Sequence, residues 1–104
     1  MVALWAERSP EVSRAWIFGS YANESARPES DLDVAIEITA EVIIKIGVEK
    51  FWYRHHSRLQ EQLQRLVGKV PVQLEMYHRY YGAIVYQAIN SNKLKPVYRR
   101  SKKS

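Results

Sequence analysis

Asp31 and Asp33 stand one residue apart, downstream of Gly19-Ser20, in the stretch W-I-F-G-S-Y-A-N-E-S-A-R-P-E-S-D-L-D-V. Acids at i and i+2 on a strand point to the same face, with Cα atoms roughly 6.5 Å apart. Such a pair can share divalent metals about 3.5–4 Å apart, the spacing of two-metal phosphoryl-transfer sites. Gly19-Ser20 follows an apolar run, Trp16 to Phe18. A glycine turn between strand and helix lets backbone N–H groups approach a phosphate, and Ser20 adds a hydroxyl donor. A phosphate cradle beside two carboxylates suits a nucleotide and Mg²⁺.

Period-two alternation predicts the strand that carries the acids. Over Asp31–Ile38, Asp31, Asp33, Ala35 and Glu37 share one face, and Leu32, Val34, Ile36 and Ile38 the other. Residues 14–18, aromatic and β-branched, form an earlier strand that Gly19 ends. Residues 2–8 form a short helix with Leu4 and Trp5 inward, stopped by Ser9-Pro10. The main helix is expected over 48–67, with Val48, Phe51, Trp52, His55, Leu59, Leu63, Leu66 and Val67 inward and Gly68 just past its end. A third strand spans 70–77, with Gln73 and Glu75 on one face. Residues 20–25 make a short helix or turn, 80–90 a last helix, and 95–99 a short edge strand. The adjacent His55 and His56 point about 100° apart on a helix, which suits packing better than shared ligation. Tyr77, Tyr80 and Tyr81 are read as packing residues, with base stacking a lesser alternative.

With 104 residues, the chain has room for one small domain. Residues 1–98 are assigned to it, and 99–104 to a disordered basic tail. The hydrophobic share of 46% and charged share of 26% are those of a globular protein. The absence of cysteine excludes disulfides and thiolate metal sites. No apolar run reaches membrane-spanning length, and no signal-peptide pattern opens the chain, so a cytoplasmic location is expected. The net charge of +5 is carried by the C-terminal end, where Lys93, Lys95, Arg99, Arg100, Lys102 and Lys103 meet no acid. The remaining residues hold 10 bases against 11 acids, so nucleic-acid binding through the tail is the weakest functional reading.

G-S-Y-A-(x)₈-D-L-D resembles the signature of the DNA polymerase beta-like nucleotidyltransferase superfamily. It is similar above all to the stand-alone minimal nucleotidyltransferase (MNT) domains, whose usual form is near GSYARGEARPDSDLDL. The close match runs from Phe18 to Val34. The resemblance implies an α+β, two-layer nucleotidyltransferase fold: a small mixed sheet of three to four strands with helices on one face. It implies phosphate contacts at Gly19 and Ser20 and metal ligation by Asp31 and Asp33. A third acid on a later strand would complete the site for two Mg²⁺ ions and help deprotonate the attacking hydroxyl. Where many relatives have P-V-D-L, this chain has Pro71-Val72-Gln73-Leu74-Glu75, which makes Glu75 the candidate. Asn23 and Glu24 replace the family's basic residue and glycine, and Arg27 is the candidate for restoring positive charge near the phosphates.

The activity implied is transfer of a nucleoside monophosphate, AMP from ATP or its equivalent from another NTP, to a hydroxyl acceptor. MNT proteins are commonly paired with HEPN-type toxins, some acting as antitoxins that place AMP on a toxin tyrosine, so such a toxin is the expected partner. The alternative is a catalytically weakened nucleotide-binding or protein-interaction module of the same fold. Self-association into a homo-oligomer stays open.

Overall fold

A computed structural model describes residues 2–19, 30–77 and 95–100. The expected elements at 20–25 and 80–90, and Tyr80 and Tyr81, lie outside these residues. Among the described residues, seven elements follow one another: helix α1 (Val2–Arg8), strands β1 (Val12–Phe18) and β2 (Leu32–Ile38), helices α2 (Ala40–Ile46) and α3 (Val48–Val67), and strands β3 (Val72–Met76) and β4 (Lys95–Arg99). The strands form one mixed sheet in the order β3-β2-β1-β4. β1 is antiparallel to both β2 and β4, and β2 is parallel to β3. This is the expected α+β class.

The alternation read from the sequence sorts the two faces of the sheet. Leu32, Val34, Ile36 and Ile38 of β2 join Val72, Leu74 and Met76 of β3 in a core with Phe51, Leu59 and Leu63 of α3. Val2, Trp5 and Ala6 of α1 complete it. These helices therefore cover one face. The opposite face carries the acids and a small cluster of Trp16 and Ala35, against which Phe18 and Tyr77 pack.

Three expectations need correction. Leu4 is 45% exposed, because α1 buries Val2, Trp5 and Ala6 at helical spacing and Leu4 falls about 100° away from Trp5. Leu66 is 39% exposed. Its angle on α3 is right, but side chains of Gln64 already reach Val70 and Val72, so the turn holding Leu66 runs past the start of β3. The boundary drawn at residue 98 falls inside β4, which continues to Arg99. Arg100 then donates to the carbonyl oxygens of Ala6, Glu7, Ser9 and Val12 at 2.9–3.3 Å, tying this end to the last turn of α1. Residues 101–104 lie outside the described residues.

α2 occupies residues where no element is expected from the sequence. Gly47 makes the joint between α2 and α3: at φ +83° it closes α2 through its N–H to Ile43 O, and its carbonyl accepts from Phe51 N. No helix among the described residues is long and apolar enough to cross a membrane.

Candidate functional site

The registers bring the expected acids onto the face free of these helices. Phe18 of β1 lies opposite Asp33 of β2, and Asp33 lies beside Gln73 of β3. One row further along, Trp16, Ala35 and Glu75 align across the same three strands. The Leu32 N–H donates to Pro71 O at 2.7 Å, which fixes the entry of β2, and both acids with it, against the start of β3. Asp31 is exposed just before the strand, and Gln73 and Glu75 are exposed on β3. Ala35 is fully buried and small, so no side chain from β2 intervenes beside Glu75.

Gly19 sits where β1 ends, at φ +73°. A Cβ at this position would overlap the Asp33 carboxylate. Glycine is therefore required twice, for its backbone angle and for the approach of the acid. Burial raises the pKa of Asp33 above the ordinary aspartate range, and the charges of Asp31 and Glu75 raise it further. Asp33 thus feels the charges of both other expected acids.

Carboxylate oxygens are the hard donors Mg²⁺ prefers, and it is commonly held by one or two protein carboxylates with phosphate and water completing its shell. Asp31 and Asp33 fit that use. Among the described residues, no group of three His, Asp or Glu side chains is arranged to hold a metal ion by itself. Ser20 and Arg27, expected at the phosphates, and Asn23 lie outside the described residues.

The same face ends in an array that sequence reasoning missed. Arg14 donates to both oxygens of Glu37, Nε to Oε1 at 2.9 Å and an Nη to Oε2 at 2.6 Å, while Ser13 Oγ adds a 2.8 Å bond. The guanidinium lies 4.9 Å from the centre of the Trp16 ring and 5.8 Å from that of Tyr77. Burial alone would raise the Glu37 pKa, but the bonds from Arg14 and Ser13 outweigh it and leave it lowered. Asp33 and Glu37 are four residues apart on β2, or about 13 Å. The alternation Arg14, Trp16, Phe18 was the available signal.

His55 and His56 are half-buried and stack on Phe51 and Trp52, with centroids 4.8 and 4.7 Å apart, as packing residues do. A groove at the α2–α3 joint is lined by Ile46, Gly47, Val48, Lys50 and Tyr53, and holds none of the expected site residues.

The structure thus presses Gly19 at the end of β1 against Asp33, with Asp31 and Glu75 nearby. The family model for polymerase beta, nucleotidyltransferase, matches residues 3–103, and the chain belongs to that family. A crystal structure of a toxin–antitoxin with AMP-PNP superposes with a TM-score of 0.64 at 17% identity, over 97% of this chain and 72% of that one. A mutant of the toxin–antitoxin MntA-HpeT superposes with a TM-score of 0.60 at 15% identity, over 97% and 71%. At these identities the likeness establishes the fold. No curated protein matches the chain.

Proposed function

We propose that this chain is an Mg²⁺-dependent nucleotidyltransferase that moves a nucleoside monophosphate, AMP from ATP in the leading case, to a hydroxyl on a protein partner. The observation that carries the reading is the contact of Gly19 with the Asp33 carboxylate. It joins the phosphate-binding turn of the family to its acidic strand. Asp31 and Asp33, with Glu75 beside them, would hold two Mg²⁺ ions, which supply neutralisation of the triphosphate and leaving-group charge. Gly19 and Ser20 would receive the phosphates, and Arg27 would add positive charge there. The acceptor oxygen bonds to the α-phosphorus and the bond to the β-phosphate breaks. Pyrophosphate leaves, and the hydroxyl proton passes to a carboxylate, for which Glu75 is the candidate. Catalysis of this kind is mainly positioning and charge neutralisation.

The toxin–antitoxin context of the two similar structures supports a protein acceptor, in keeping with the HEPN-type toxin expected from the resemblance. One observation favours a second reading, a weakened nucleotide-binding module: Gln73, not an acid, lies beside Asp33. Transfer of label from α-³²P-ATP to a co-expressed partner decides between them. Transfer that Asp33→Asn and Glu75→Gln abolish is the expected result. Nucleotide binding without transfer supports the module.

A further inference from the structure

Among the described residues β3 is an outer strand of the sheet, five residues long, and it carries Glu75. An outer strand has one row of backbone groups without a neighbouring strand. In β3 the inward row belongs to odd positions: Pro71 O accepts from Leu32 N, and Tyr77 N donates to Ile36 O. The outward row belongs to even positions, and side chains of α3 meet it. Gln60 Oε1 accepts from Leu74 N at 3.1 Å, and Gln64 Oε1 accepts from Val72 N at 2.9 Å. Gln64 Nε2 donates to Val70 O at 2.8 Å and to Gly68 O at 2.9 Å. His56 Nε2, in the tautomer that carries its hydrogen, donates to Leu74 O at 3.1 Å.

The spacing explains why this works. His56, Gln60 and Gln64 recur every four residues, a rise of about 6 Å per step along a helix. Alternate residues of a strand recur every 6.6 Å or so. The polar row on α3 therefore runs nearly in step with the outward row of β3, in the opposite chain direction, and acts as a strand made of side chains. Leu74 is gripped at both its N–H and its C=O, and it immediately precedes Glu75.

We infer that His56, Gln60 and Gln64 are positioning residues for the site: by pinning the outer edge of β3 they hold Glu75 in register beside Ala35, one row along from Asp33. This rests on the reading of Asp31, Asp33 and Glu75 as the metal-binding acids. None of the three α3 residues needs to touch substrate.

The test is a mutant cycle with two readouts. Gln60→Leu keeps the size of the side chain and removes the acceptor, whereas Gln60→Glu keeps an acceptor oxygen. Amide hydrogen exchange of β3 and affinity for Mn²⁺–ATP by calorimetry are measured on wild type, both Gln60 variants, Glu75→Gln and the Gln60→Leu/Glu75→Gln double variant. Exchange at Leu74 and Glu75 should rise about tenfold or more in Gln60→Leu, return in Gln60→Glu, and stay unchanged in β1. Affinity should fall roughly tenfold in Gln60→Leu, as for losses of outer-shell support elsewhere. It should fall no further when Glu75→Gln is already present. Unchanged exchange in β3 overturns the inference, as does an equal affinity loss with and without Glu75. Wild-type protein that binds no Mn²⁺–ATP overturns the nucleotidyltransferase reading instead, while exchange still decides whether the row holds β3.

Discussion

Gly19 and Asp33 occupy one another's space so closely that each constrains what the other can be. Gly19→Ala would put a methyl group into the Asp33 carboxylate at a backbone angle that L-residues disfavour. It should cost about 1–3 kcal/mol in stability, seen in urea melts, and remove nucleotide binding. Asp33 itself works against stability: burial and two neighbouring carboxylates oppose its charge. Asp33→Asn should therefore raise the melting temperature of ligand-free protein at neutral pH while abolishing nucleotide binding. After screening by solvent the gain is at most about 1 kcal/mol. Glu37 has the opposite sign. Its pKa is lowered in the fold, so its bonds to Arg14 and Ser13 stabilise above the unfolded glutamate value near 4.3, and that contribution fades as pH falls through the lowered folded value. Arg14→Met should thus cost more stability at pH 7 than at acid pH, with the loss shrinking as pH falls below the unfolded glutamate value, a trend read from melts across that range. The exposure of the pair keeps the pH 7 loss to about 1 kcal/mol.

At the scale of elements, α3 does two jobs with two adjoining stripes. Its apolar stripe buries Leu59 and Leu63 completely. Its polar row meets the edge of β3. Leu63→Ala should cost about 2–5 kcal/mol by leaving a cavity, whereas Leu66→Ala should stay within about 0.5 kcal/mol, both measured by denaturant unfolding. α3 was legible to the residue at both ends because a 20-residue periodic run leaves little ambiguity. β2 was legible because its alternation is strict. The error at Leu66 came from reading angle without length. α2 escaped because it is only seven residues long and half-buried at most: Val42, Ile43 and Ile46 pack against the core while Ile44, inside the same apolar run, is 83% exposed. The Gln60 and Gln64 contacts escaped because surface glutamines carry no hydrophobic signal.

Across the described residues, one sheet separates two chemistries: a core under the helices and, on the other face, a run of acids, aromatics and the Arg14–Glu37 pair. Arg100 fastens the far end of the chain to α1, and Arg100→Ala should lower stability by about 1–3 kcal/mol in thermal melts, since it leaves several carbonyl oxygens without their donor. The acids of the site were legible because a short motif fixes them to one strand face. Their environment was not: the burial of Asp33 and the small Ala35 beside Glu75 come from pairing between segments distant in sequence. A nucleotidyltransferase requires that this acidic face take a nucleotide. The most direct measurement is thermal melting of the protein with each of the four NTPs, with and without Mg²⁺, on wild type and Asp31→Asn. A ligand at about 100 times its Kd stabilises by roughly 2.7 kcal/mol, a shift of many degrees in so small a domain. The prediction is a Mg²⁺-dependent rise with ATP or another single NTP in wild type and none in Asp31→Asn. No rise with any NTP, or an equal rise in the mutant, would contradict it.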